Sequence, residues 1–186
     1  MDTDELEALL EGQTETQTLD FKGECAWDAV ALARDILAMT NVQDGGFIVI
    51  GVEDGTFVRQ GVSDQIAATY DFDAMKDAMS GFADPYVDFR VSKPKDRDGK
   101  QYVVIRVMPF HEVPVICKRD SRETQKGVIY YRNMDRRPES AAVSNSYDMR
   151  NIVEVAVSRR MKRVRELGFV VESGDKEKLD SELEGL

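Results

Sequence analysis

Apolar residues recur along this chain with two periods. In QTLDFK (17–22), Leu19 and Phe21 alternate with Asp20 and Lys22, the period of two that predicts a strand with one face buried. FIVIGV (47–52) is apolar without alternation and predicts a central strand covered on both faces. YVDFRVS (86–92) and QYVVIRVMP (101–109) predict a hairpin around the charged loop KPKDRDGK, and VPVICK (113–118) and GVIYYRN (127–133) predict two further short strands. Helical spacing takes over in four segments. Residues 4–11 carry Leu6, Leu9 and Leu10 on one side. Residues 26–41 place Trp27, Val30, Ala31, Arg34, Leu37 and Ala38 near one stripe, widened by Ile36 and Met39 and ending at Asn41. Residues 71–83 repeat Phe72, Met75, Met79 and Phe82, and residues 146–165 carry Met149, Ile152, Val153, Ala156, Val157, Met161 and Val164 on an apolar side. QDGG (43–46) and EDG (53–55) predict turns.

Strand and helix alternate only as far as residue 85, and several strands then follow one another before the last helix. That order predicts an α+β domain, a mixed sheet with helices packed on it, rather than a doubly wound parallel sheet. One domain is expected over residues 1–166, followed by an acidic tail over 167–186. No apolar run approaches the roughly 18–20 residues needed to span a bilayer. The acidic N-terminus MDTDELEALL lacks the basic region of a secretory signal. A cytoplasmic protein without a membrane partner is therefore expected.

Charge changes this picture more than composition does. The formal net charge of −10 argues against a protein that coats nucleic acid indiscriminately. Residues 1–90 sum to −14, however, whereas residues 91–166 hold 18 bases against 10 acids, for +8. The chain thus offers an acidic front half suited to cations and a basic middle suited to phosphates, unless folding mixes the two.

Common catalytic signatures are absent. There is no G-x-x-x-x-G-K-[ST] phosphate loop and no G-x-G-x-x-G, so ATP is not expected as a cofactor. Cys25 and Cys117 lack partners at metal-ligand spacing, so zinc is not expected and both read as free thiols. His111, the one histidine, lies among prolines in PFHEVP and reads as a loop or packing residue. The carboxylates remain. Glu15 precedes the first strand, Asp20 lies on its polar face, and Glu53 and Asp54 close the apolar strand. These acids are either turn residues or, if the two strands are neighbours, an oxygen-rich cluster for Mg²⁺ or Mn²⁺. In the second case Lys22, on the face of Asp20, is placed to reach a phosphate oxygen.

ETQTLDFK, then ALARDILAMTNVQDGGFIVIGVED, VIRVMPFHEVPVICK and GVIYYRNMDRRPES resemble, in order and spacing, the AlbA-like Schlafen domain. The resemblance covers about residues 4–160. It implies an acidic triad for metal-dependent endoribonuclease activity on structured RNA such as tRNA, with Glu15, Asp20 and Asp54 in its positions and Mg²⁺ or Mn²⁺ as cofactor. Asp20 stands where the family more usually has Glu, and MTNVQDGG carries one residue more before its glycines than the family pattern. The resemblance further implies RNA or DNA as partner and a homodimer, because related vertebrate proteins join two lobes around a basic groove. Lys118, Arg119, Arg122, Lys126, Arg132, Arg136 and Arg137 are expected to line that groove, and Arg159, Arg160, Lys162 and Arg163 to extend it. Three functions stay open: a metal-dependent endoribonuclease, a non-catalytic nucleic-acid-binding regulatory module, and a scaffold that binds partners through its acidic surface.

Overall fold

The computed structural model describes residues 1–12, 14–133 and 138–168. Arg136, Arg137 and all of the acidic tail beyond Gly168 lie outside the described residues. A four-stranded sheet in the order β1-β2-β5-β4 forms the centre. It comprises β1 (Leu19–Lys22), β2 (Gly46–Ile50), β4 (Phe89–Ser92) and β5 (Val103–Val107). β1 and β2 are parallel, with α2 (Ala29–Thr40) between them in sequence. β2–β5 and β5–β4 are antiparallel, so the 86–109 segment is the hairpin that its alternation predicts.

The apolar run of β2 is explained by what covers it. Ile48 and Ile50 face a large core with α2, α4 (Phe72–Ser80), and Val103, Ile105 and Val107 of β5. Val49 faces a smaller core with Leu6 and Leu10 of α1 (Thr3–Glu11) and Val104 of β5. β1 lies at the sheet edge, and its alternation divides its side chains between the two layers. Leu19 and Phe21 join the α1 side, while Asp20 and Lys22 face the α2 side. An edge strand with charged residues turned inward needs a polar partner above it. That partner comes from β7 (Tyr130–Asn133), which pairs with β8 (Glu139–Ala142) as a separate two-stranded sheet packed over α2.

Three short elements were not legible in the hydrophobic pattern: α3 (Asp64–Thr69), β3 (Ala83–Asp84) and β8. α3 and β3 are too short to show a period, and β8 (ESAA) has no large apolar residue to mark one; β3 exists only because it pairs with β6 (Ile116–Cys117). The last helix, α5 (Ser146–Glu166), forms as expected, but its apolar side meets the body only along one edge. Ile152 alone is fully buried, with Ala156 and Val155 packed beside it. Met149, Val153, Val157 and Met161 are exposed, and Asp148 is buried in their stead. The buried Asp148 accepts from the Asn145 amide at 2.7 Å, and its backbone N–H donates to the same capping side chain at 2.8 Å.

Asn41, at the end of α2, joins the layers. Its side-chain amide donates to the carbonyls of Val115 and Tyr130, both at 2.9 Å, and its Oδ1 accepts from the Val115 N–H at 2.8 Å. The following turn requires Gly45, whose φ is +67° and where a Cβ would lie 2.2 Å from the Val107 carbonyl oxygen. Asn41→Ala leaves several buried backbone groups unpaired, so the protein is expected to lose about 2–4 kcal/mol, read as a lower urea midpoint. A midpoint unchanged within error would show that the amide does not hold β7 to α2.

A candidate nucleic-acid site centred on the Asp20–Arg132 pair

A chain reversal builds the first part of the site. Thr16 and Leu19 exchange backbone hydrogen bonds at 3.0 and 3.3 Å, so the chain folds back immediately before β1. Glu15 is thereby laid along the free edge of the strand, where its Oε1 accepts from the Phe21 N–H at 3.0 Å. The carboxylate covers a donor that an edge strand would otherwise present to another chain. Beyond β2, Glu53 N–H donates to Val58 O and Phe57 N–H to Glu53 O, closing a tight turn that carries the exposed Asp54. The Phe57 ring meets Phe21 edge-on at 5.8 Å, which seats this turn against β1.

Asp20 is 3% exposed, and its two oxygens face two cations. Oδ1 lies 2.8 Å from Arg132 Nη1, and Oδ2 lies 2.9 Å from Lys22 Nζ. The Lys22 contact is an ion pair whose angle falls outside a hydrogen bond, so Oδ2 has no hydrogen-bond partner among the described residues. Lys22 also reaches Asp35 Oδ2 of α2 at 3.2 Å. Burial works against the Lys22 ammonium, but Asp20 and Asp35 together outweigh it and hold its pKa above the ordinary lysine value. Arg132 is 1% exposed. Its Nη2 donates to the carbonyls of Thr16 and Leu19 at 3.1 and 3.2 Å, so one guanidinium closes the reversal before β1 while neutralising Asp20. Gln17 completes the seam by donating to the Tyr131 hydroxyl at 3.0 Å and to the Arg132 carbonyl at 2.9 Å.

Glu15 feels this surrounding directly. Partial burial raises its pKa, the Phe21 N–H opposes that, Asp20 raises it further, Arg132 opposes, and Asp54 adds a last upward push. Asp20 and Asp54 are thus each within charge–charge range of Glu15. No group of three histidine, cysteine or acidic side chains among the described residues is gathered closely enough to hold a metal ion. Of the expected ligands, Glu15 and Asp54 present oxygens suited to Mg²⁺ or Mn²⁺. Asp20 does not fit that role, since Arg132 and Lys22 already occupy both its oxygens.

The expected groove residues separate into kinds. Arg132 is a correction: it is interior, and its charge is used on Asp20 rather than offered to a phosphate. Arg122 pairs with Asp28 at 3.1 Å, and Arg119 lies over the Phe82 ring at 5.1 Å. Lys118 and Lys126 are exposed without an acidic partner among the described residues. On α5, Arg160 reaches Glu112 at 2.8 Å and Arg163 approaches it at 3.7 Å. Arg159 is held by the Gln43 carbonyl and stacks on Phe110 at 4.5 Å, leaving Lys162 without an acidic partner among the described residues. Asp35 and Gln17 were missed. A carboxylate between Leu32 and Ile36 on a helix facing the core was the available signal for Asp35; nothing in the sequence marks Gln17.

The family model described as Schlafen, AlbA_2 matches residues 15–139, and the chain belongs to that family. It is similar to the crystal structure of the DIP2311 protein from Corynebacterium diphtheriae, with 18% identity and a TM-score of 0.52 over 80% of this chain. The chain spans 27% of that protein's chain. It is also similar to the solution structure of the N-terminal domain of a RecG-related protein from Nitrosomonas europaea, with 16% identity, a TM-score of 0.45, and coverage of 75% of this chain and 94% of that one. No curated protein matches the chain. No helix among the described residues is long and apolar enough to cross a membrane.

Two measurements check the site. Arg132→Met strands a buried carboxylate and is expected to cost about 3–5 kcal/mol in urea denaturation; adding Asp20→Asn in that background should recover part of the loss. No recovery would show that the two side chains act independently. For Glu15, the folded-state pKa lies above the ordinary 4.5, so the native state binds the proton more tightly than the unfolded chain. Stability therefore falls as pH rises from about 4.5 through the folded value and stays lower above it. Glu15→Gln keeps an acceptor for Phe21 N–H and should flatten this part of the melting-temperature profile. An unchanged profile would remove Glu15 as its cause.

Proposed function

We propose that this chain is a nucleic-acid-binding domain with RNA or DNA as its partner. One observation carries the reading: Arg159 and Lys162 line both of two adjoining clefts along α5, of about 870 and 580 Å³. Arg163 adds a further cation to the second. Membership of the Schlafen, AlbA_2 family and the excess of bases in residues 91–166 support it. Lys118 and Lys126 are surface cations able to add phosphate contacts.

A second reading, a metal-dependent endoribonuclease acting on structured RNA such as tRNA, is favoured by the repulsion that Asp20 and Asp54 exert on Glu15, which a divalent cation would relieve. Glu15 and Asp54 would hold Mg²⁺ or Mn²⁺, and the bound ion would supply electrostatic stabilisation of phosphate charge. Lys22, one-third exposed, would orient a phosphate while anchored to Asp20 and Asp35. Asp20 would act from behind, by keeping Lys22 and Arg132 in place.

We also propose a homodimer. Its support is the outward stripe of Met149, Val153 and Val157 on α5, which no described residue covers. Sedimentation at micromolar concentration should show a dimer, and Val153→Glu with Val157→Glu should give a monomer. A wild-type monomer would contradict the shared groove.

Fluorescence anisotropy with labelled RNA and DNA at 50 and 200 mM salt tests the first reading. Affinity should fall steeply with salt, and Lys118→Ala or Lys126→Ala should each reduce the log–log slope by about 1. Absence of binding to either nucleic acid at low salt would overturn it in favour of a partner-binding scaffold. For the second reading, tRNA incubated with Mn²⁺ should be cut by wild type and left intact by Asp54→Ala. Equal cleavage by both would remove the carboxylates from the chemistry.

A further inference from the structure

The larger cleft has a composition that a simple phosphate groove does not need. Along α5 it is lined in order by Tyr147, Asn151, Val155, Ser158 and Lys162, spaced so that all five share one helical stripe. Tyr147 is 69% exposed at one end, and Lys162 is exposed at the other. Fifteen residues of helix separate them, roughly 22 Å at 1.5 Å per residue. Across the cleft stand Gln17, Tyr131, Gln43 and Asp44.

These groups divide by chemistry. Lys162 and Arg159 supply positive charge at the far end only. The remainder consists of aromatic rings, side-chain amides, Val155, Ser158 and the carboxylates Asp44, Asp148 and Glu154, of which Asp148 is buried and capped by Asn145. The carboxylates would repel a phosphate laid against them, but they accept hydrogen bonds from the amino groups of bases. Tyr131 adds a directed donor. Its hydroxyl oxygen already accepts from Gln17. Its own hydrogen is therefore left to point elsewhere. Burial raises the Tyr131 pKa, so the hydroxyl keeps that hydrogen throughout the neutral range.

We propose that this cleft binds an unpaired stretch of nucleic acid, with a base stacked on Tyr147, base edges meeting the amides, carboxylates and Tyr131, and a phosphate held by Lys162 and Arg159. The inference rests on the nucleic-acid reading above and specifies its substrate as single-stranded. Base stacking on an aromatic side chain is tolerant of sequence, while the edge contacts favour bases not occupied in pairing. The cleft also adjoins the carboxylates: Gln17 lines it and donates to the carbonyl of Arg132, whose guanidinium pairs with Asp20. A strand in the cleft would run beside the turn that carries Glu15.

The test is fluorescence anisotropy at 50 mM salt with labelled ten-residue single strands of RNA and of DNA and the corresponding duplexes. Variants are Tyr147→Ala, Lys162→Ala, and the distant surface control Lys76→Ala on α4. Wild type is expected to bind a single strand at least fivefold more tightly than its duplex, the RNA and DNA arms showing which sugar is preferred. Tyr147→Ala should weaken single-strand binding about 5- to 100-fold, with its thermal melt unchanged because the side chain is largely exposed. Lys162→Ala should weaken it and lower the salt dependence, while Lys76→Ala matches wild type. Equal binding of duplex and single strand, or a Tyr147→Ala variant that binds as wild type, would overturn the cleft assignment and leave the nucleic-acid reading standing. Failure of wild type to bind any of the four probes would overturn both.

Discussion

The buried pair of Asp20 and Arg132 is the contact on which the arrangement of this domain turns. β1 is the edge of the central sheet, and its alternation directs Asp20 into the layer shared with α2. A lone carboxylate there would be costly. Arg132 resolves this from β7, more than a hundred residues later in the chain, and in doing so carries the two-stranded β7–β8 sheet to the edge of the main one. The same guanidinium closes the reversal at Thr16 and Leu19 that brings Glu15 alongside the strand. One cation therefore couples the local shape of the acidic segment to the placement of a distant hairpin. Buried pairs of this kind specify an arrangement more reliably than they add net stability.

The site that results contains both signs of charge. Lys22 bridges Asp20 and Asp35, so the inner carboxylates are compensated by the protein itself. Glu15 and Asp54 lie outside that compensated group, one beside the strand edge and one on an exposed turn, and the repulsion within the site falls on Glu15. The three acids are therefore not equivalent: Asp20 is paired with two cations, whereas Asp54 is exposed and Glu15 lies on the strand edge. The short aspartate side chain ends on Arg132 and Lys22.

Much of the fold was legible in the hydrophobic pattern, because long elements with one or two buried faces must display a period. The uninterrupted run of β2, the alternation of β1, the β4–β5 hairpin and the helices α1, α2 and α4 all follow from burial that the sequence records. β3, with two residues, carries no period and arises from pairing with the distant β6, while β8 has no large apolar residue to mark a period and forms against its neighbour β7. α5 shows where a period misleads. Its apolar stripe is real, but only its Ile152 and Ala156 edge packs on the body, beside the buried Asp148, and Met149, Val153, Val157 and Met161 stay exposed. For the site, Glu15, Asp20, Lys22 and Asp54 were recognisable as residue types at strand ends. Asp35 and Gln17 came into view only with the fold, and Arg132 had been counted among surface cations.

By itself the sequence determined the elements, the α+β class, the charge asymmetry and the set of acids around β1, since these depend on neighbours in the chain. Tertiary structure decided which charges are available. Arg132 and Lys162 are both cations in basic segments, yet one ends on a buried carboxylate and the other on an open cleft. The physical reason is that a charge's role depends on burial and on the opposite charge within a few ångströms. For Asp20 and Arg132 that partner lies 112 residues away, a separation that no local pattern encodes.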